Sequence, residues 1–303
     1  MSGLVQVTPS PEERDGGQWS DGNLRKIIEA LRNDGLVVLK DVIDPNHLDE
    51  LNKVMVPDAI RIRKETDRLN FGTENIQQAA PLQHENLIYD DVFSNPLLHE
   101  AVLHVLGPGS RWNFSSGNTA LPQSSQKQPV HADEMCPEMI SPFMLIANIP
   151  LIDSSPDTGS TQLWPGTHLL RDPKFYVDGN GRALPECQEA HAKDRPPVQP
   201  SVKKGSIIVR DLTLWHCGMP NPSEHVRCML ALGFTAKWWH NNSAVKVPNE
   251  SVGDYLQTRC RRNGITVETT VVDDYNNAKD AHDFDLGESG QGLYEREVLA
   301  GNM

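Results

Sequence analysis

In the first third of the chain, apolar residues recur at helical spacing. Ser20-Asp21-Gly22 followed by NLRKIIEALRNDG puts Leu24, Ile27, Ile28 and Leu31 on one face of a capped amphipathic helix that stops at Gly35. The run LVVLKDVI (36–43) is β-branched and too short for a helix, so it reads as a buried strand. Asp44-Pro45 opens a second helix through Leu48 and Leu51 toward Arg63, and a third covers Asn95–Leu106 before Gly107-Pro108. From Trp112 to Trp239 the texture changes to short apolar runs separated by Gly, Pro, Asn and Ser. The candidate strands are WNFSSGNTALP, QPVHAD, FMLIANIPLI, STQLW, GSIIVRDLTLWH and HVRCMLALGFTAKWW. Short strands with turn signals between them predict a β-barrel or sandwich, mainly β with flanking helices. Asp172–Pro200 has five prolines and few apolar residues, so it reads as a surface insertion, either a lid or a plain excursion.

Composition narrows the class. The 303 residues are 38% hydrophobic and 23% charged, as in a globular protein. A formal net charge of −13 argues against nucleic-acid and anionic-membrane partners, which need a basic face. The excess is uneven: 266–303 holds nine acids and two bases, so the expected division is one domain over 1–265 and an acidic C-terminal tail over 266–303. The N-terminus lacks a basic region followed by an apolar one, and no stretch approaches a membrane span. The five cysteines include no C-x-x-C pair and fit free thiols in a reducing compartment. The expected location is the cytoplasm.

Candidate chemistry begins at His131-Ala132-Asp133. Residues two apart on a strand share a face, so an imidazole and a carboxylate would converge. Such a pair arises readily by chance; His47-Leu48-Asp49 is another, on an expected helix where the two do not face each other. The downstream company of the first pair distinguishes it. His216 ends the run IIVRDLTLWH and completes a two-His-one-carboxylate set, the donor set of non-haem Fe(II) with open coordination positions. Arg227, eleven residues on, sits in the apolar run VRCMLALGF, where a buried guanidinium needs an anion. A dicarboxylic co-substrate would supply one; a surface salt bridge is the alternative.

HAD at 131–133, GSTQLWPGTH at 159–168 and LWHCGMPNPSEHVR at 214–227 together resemble the phytanoyl-CoA dioxygenase family of iron- and 2-oxoglutarate-dependent oxygenases. The similarity is greatest to fungal-type members that act on small metabolites. EALRNDGLVVLKDVI also resembles the family's N-terminal portion, and the likeness fades after about Gly264. The resemblance implies a double-stranded β-helix (jelly roll, cupin-like), with His131, Asp133 and His216 as iron ligands and Arg227 on the distal carboxylate of 2-oxoglutarate. Members often carry a hydroxyl two residues after the second iron histidine. Gly218 stands there in this chain, so another donor must serve: Thr161, or Asn118 on an earlier strand. His168 reads as structural.

Counting back by twos from His216 puts Arg210 on the same strand face, where it would meet a substrate carboxylate. A local pair with Asp211, or with an acid elsewhere, is the favoured alternative. Met135, Met139 and the 172–200 insertion are further substrate-contact candidates.

The implied activity is oxidation of a small-molecule substrate in secondary metabolism, by hydroxylation, desaturation or oxidative cyclisation. The cofactors would be Fe(II), 2-oxoglutarate and O2, with ascorbate as reductant. Self-association as a homodimer is left open. Asp133 fills the ligand position that a halogenase vacates, and no basic cluster suits the phosphates of an acyl-CoA. Two other classes stay open: a cupin-like metalloenzyme that does not use 2-oxoglutarate, and a non-catalytic binding member of the family.

Overall fold

A computed structural model describes residues 4–64, 74–135, 137, 139, 141–177, 181–239, 241 and 243–275. Its strands are β1 (Gln6–Val7), β2 (Leu36–Leu39), β3 (Asn75–Gln78), β4 (Arg111–Ala120), β5 (Met144–Pro150), β6 (Gln162–Leu163), β7 (Ile207–Asp211), β8 (His216–Cys217), β9 (Met229–Thr235), β10 (Val245–Val247), β11 (Thr266–Val267) and β12 (Thr269–Val271). The helices are α1 (Pro11–Gly16), α2 (Asp21–Asp34), α3 (Pro45–Ile62), α4 (Asp90–Phe93), α5 (Pro96–Leu106), α6 (Pro185–Asp194) and α7 (Glu250–Arg262).

The three helices expected from periodicity form, and side chains cap them: Ser20 accepts from Asn23 N, Asp44 from Asn46 N and Asn95 from Leu98 N. The large sheet runs β1-β2-β7-β5-β9-β4-β11, with β3 added beside β4. Alternation along its strands separates two faces. Leu145, Ala147 and Ile149 on β5 and Leu230, Leu232 and Phe234 on β9 join one core with Ile27 and Leu31 of α2 and Leu97, Leu98 and Ala101 of α5. The intervening residues, among them Ile146, Asn148 and Ala231, line a cleft on the other face. Across that cleft lies a small sheet of β6 and β8, extended by bridges from His131 to His216 and from Leu163 to Val198. Two facing sheets of mixed connectivity, backed by helices on one side, are the jelly-roll arrangement that the sequence suggested.

Three expectations change. GSIIVRDLTLWH is two strands rather than one. After β7 the chain turns, with Asp211 Oδ1 accepting from both Thr213 N and Thr213 Oγ1, and enters the small sheet as β8. QPVHAD is not a regular strand either: it forms isolated bridges centred on His131, to His216 and to Arg182, and the chain bends at Asp133. The 266–303 segment does not begin as a tail. β11 pairs with β4, β12 pairs with β10, and the Tyr275 hydroxyl donates to Ala80 O, so the folded part reaches Tyr275. Residues 276–303 lie outside the described residues.

The 172–200 insertion is fastened down rather than free. Tyr176 and Ala183 join a small apolar cluster with Val130, Trp164 and Trp215, and His191 Nε2 donates to Pro165 O. Ala132 N donates to Gly181 O and Ala183 N to Val130 O, both at 2.9 Å, so the insertion forms an outer rail beside the HAD segment. Gly181 has φ +75°, and a Cβ there would sit 2.7 Å from the Ala132 carbonyl oxygen. Gly181→Ala should therefore cost at least about 1–2 kcal/mol from left-handed backbone strain alone. Chemical denaturation checks this, and an unchanged midpoint would contradict the close approach.

Candidate metal centre and anion pocket

His131 and His216 face each other across the small sheet. They exchange backbone hydrogen bonds, His131 N to His216 O at 3.0 Å and His216 N to His131 O at 2.8 Å. Each ring is then oriented by its own chain: His131 Nδ1 donates to Pro129 O (2.8 Å) and His216 Nδ1 to Leu214 O (3.0 Å). With Nδ1 committed as a donor, each neutral ring carries its lone pair on Nε2. Asp133 Oδ1 lies 3.8 Å from His131 Nε2 and 3.4 Å from His216 Nε2. The three donor atoms fall within 4.8 Å of one another, which makes a metal site of two nitrogens and one carboxylate oxygen.

The protonation states suit a ligand set. Burial, reinforced by the facing His216, pulls His131 down to about 4, so it is a neutral imidazole at physiological pH. Burial alone would raise the Asp133 carboxyl. The Arg210 guanidinium, then His216, outweigh that effect and hold it well below the usual carboxylate range.

Arg210 reaches the cleft and pairs with an acid elsewhere, the favoured alternative, and that acid is Asp133. Its Nη2 donates to Asp133 Oδ2 at 2.6 Å and its Nε to Asn148 Oδ1 at 3.1 Å. Asp211 is not that partner; it bonds Thr213 and lies 3.7 Å from Arg171. The strand-face count that pointed to Arg210 assumed one continuous strand. The residue enters the cleft instead from β7 in the large sheet, while His216 enters from β8 opposite.

The cleft, of about 750 Å³, also contains the predicted anion-binding group. Arg227 is 2% exposed. Its Nη1 donates to Asn118 O (3.0 Å) and its Nη2 to Gly159 O (3.2 Å), while Nε is buried without a partner. Among the described residues no carboxylate pairs with it. Burial pulls the guanidinium down to about 10, still cationic at neutral pH. Removing such a charge from water costs on the order of several kcal/mol unless an anion is supplied. The residues present therefore fit both an iron ion and a dicarboxylate: the first by donor chemistry, the second by an orphaned buried cation.

Thr161 and Asn118 both line the cleft. Asn118 also contributes the backbone carbonyl that holds Arg227. Sequence reasoning missed Gln128. Its Oε1 accepts from Gly218 N at 2.8 Å, its Nε2 has no protein partner among the described residues, and it lines the cleft. A Cβ at 218 would meet Gln128 Oε1 at 2.7 Å, so the glycine and the glutamine fit as a pair. The signal was present: a glycine where relatives carry a hydroxyl means that something else occupies that space. Met135 does not line the cleft and packs instead against the small cluster around Trp164 and Trp215; Met139 packs against the main core. His168 is structural, its Nε2 donating to Arg32 O at 3.1 Å.

Comparison with known proteins agrees with this geometry. The fold is shared with AviO1 from Streptomyces viridochromogenes Tue57 (TM-score 0.55, 19% identity, 72% of this chain and 97% of that one). It is also shared with the non-haem alpha-ketoglutarate-dependent carbocyclase SnoK from nogalamycin biosynthesis (0.56, 20%, 75% and 86%). A third similar structure is the epimerase SnoN in complex with Fe3+, alpha-ketoglutarate and nogalamycin RO (0.56, 17%, 78% and 90%). The family model for phytanoyl-CoA dioxygenase (PhyH) matches residues 31–229, a span that contains the HAD segment, His216 and Arg227. The chain belongs to the phytanoyl-CoA dioxygenase family of iron- and 2-oxoglutarate-dependent oxygenases.

Proposed function

We propose that this oxygenase oxidises a small metabolite of secondary metabolism, holding iron on His131, Asp133 and His216 and the distal carboxylate of 2-oxoglutarate on Arg227. One observation carries the reading: a tautomer-fixed His-Asp-His set and a buried, uncompensated guanidinium open onto the same cleft. The guanidinium also favours this reading over its rivals. A metalloenzyme without a dicarboxylate would leave Arg227 buried at a cost and with no return, and a non-catalytic relative would have no use for both groups together.

When bound, iron with 2-oxoglutarate would activate O2, which is the oxidant and takes four electrons, two from decarboxylation of the co-substrate to succinate and two from the substrate. The chain's own residues bind, orient and exclude water. Arg227 fixes one end of the co-substrate, and Gln128 and Thr161 offer neutral donors beside it. The two imidazoles and Asp133 would hold the metal through three protein donors, the donor set of sites that keep open coordination positions. Phe114 on β4 and Ile146 on β5 add an apolar wall to the same lining. That wall suits the carbon skeleton of a substrate, and its placement against the metal decides the outcome. Carbocyclisation and epimerisation on one shared fold, in SnoK and SnoN, are consistent with outcome being set by placement. The four described cysteines are free, which fits a reducing cytosol, and no helix among the described residues is long and apolar enough to cross a membrane.

Asp133→Ala and His216→Ala should each reduce 2-oxoglutarate-dependent succinate release by more than about a hundredfold, since losing a ligand exceeds the roughly 10–100-fold cost of losing a supporting group. Retained turnover in either variant would refute the metal assignment. Arg227→Met removes charge-assisted bonds worth about 1.5–3 kcal/mol, and should raise the apparent KM for 2-oxoglutarate roughly 10–100-fold; an unchanged KM would defeat that role. Gly218→Ala pushes on the Gln128 amide and should raise the same KM while iron binding persists. Anaerobic titration, followed by the visible charge-transfer band of the Fe(II)–2-oxoglutarate complex, separates the two effects.

A further inference from the structure

We infer that Arg210 and Asn148 form a positioning pair that dedicates one oxygen of Asp133 to the metal and withholds the other. The inference rests on the metal reading of His131, Asp133 and His216. A carboxylate has two equivalent oxygens and rotates easily about its last bond, so an unsupported aspartate beside a divalent cation can bind through one oxygen or through both. Two-oxygen binding would consume one of the positions that co-substrate and O2 need.

Here the choice is made before any metal arrives. Oδ1 faces both Nε2 atoms, whereas Oδ2 is 2.6 Å from Arg210 Nη2 in a charge-assisted bond. The guanidinium is itself held in place: Nε donates to Asn148 Oδ1, and Asn148 stands on β5 beside β7 in the large sheet. The line of support thus crosses the cleft, from the large sheet to the loop that carries Asp133.

Burial argues that this support serves the site more than stability. The Arg210 side chain is 7% exposed, and its Nη1 is shielded from solvent with no protein partner among the described residues. A buried ion pair with an orphaned N–H is a poor way to stabilise a fold, and similar volume in apolar side chains does as well or better.

The test is metal binding by the metal-free full-length protein, with Mn(II) alone as the probe and no 2-oxoglutarate. Arg210→Met should weaken Mn(II) binding roughly 10–100-fold, the usual cost of losing a group that orients a ligand. Arg210→Lys, which restores a charge but not the fork, should recover part of the loss, and Asn148→Ala should fall between Arg210→Met and the unsubstituted protein. With Fe(II) and 2-oxoglutarate under anaerobic conditions, the charge-transfer band of Arg210→Lys and Asn148→Ala should shift or broaden, an effect that a merely structural role would not produce. Mn(II) affinity within about twofold of the unsubstituted protein in both Arg210→Lys and Asn148→Ala, with an unmoved band, would overturn the inference, even if Arg210→Met fails to fold. Asp133→Ala keeps the two levels apart. If it loses Mn(II) while the Arg210 and Asn148 variants do not, only the positioning role fails; if it retains Mn(II), the metal reading itself fails.

Discussion

Two backbone hydrogen bonds between His131 and His216 determine where everything else in the cleft must be. Segments eighty-five residues apart are brought into antiparallel register at that one pair, so both imidazoles project from the same short bridge. The Nδ1 bonds to Pro129 O and Leu214 O then remove the remaining ring freedom. Asp133 arrives just beyond the bridge, where the chain bends and its N–H donates to Leu212 O across the gap between the sheets. A shift of register by one residue would turn His216 to the outside of the small sheet and dismantle the donor set.

Charge gives the cleft its second constraint. Arg210 and Arg227 are both buried and both cationic, yet they differ in what faces them. Arg210 is compensated by a carboxylate of the chain itself, while Arg227 has only backbone carbonyls for company. On the proposed reading, one cation positions a metal ligand and the other receives the distal carboxylate of the co-substrate. That asymmetry separates a metal end from a co-substrate end within a single cleft, although neither group differs from the other in sequence chemistry.

Much of this was legible in the sequence, and the limits have physical causes. The helices beginning at Ser20, Asp44 and Asn95 were readable because caps and apolar periodicity are local signals. The candidate triad came from the two-residue spacing of His131 and Asp133, a histidine downstream and the family resemblance, and Arg227 from its place in an apolar run, where a guanidinium needs an anion. What failed was strand continuity. GSIIVRDLTLWH has the apolar texture of one strand, but both of its halves are buried, in different sheets, and burial alone does not show where a chain crosses between sheets. Gln128 escaped notice because its role depends on the space above Gly218, a relation between positions ninety residues apart. The same holds for Met135, whose packing against Trp164 and Trp215 depends on the insertion.

The outer rail formed by the 172–200 insertion bears on the order in which the protein becomes competent. Residues 181–183 pair with the backbone of 130–132, and His216 pairs with the same stretch from the other side. As the chain emerges from the ribosome, the HAD segment therefore waits about fifty residues for its first neighbour and eighty-five for the second. Such distant pairings are slow to close, because loop entropy must be overcome before contacts compensate. Iron acquisition is consequently a late event in the life of the polypeptide, coupled to completion of the fold.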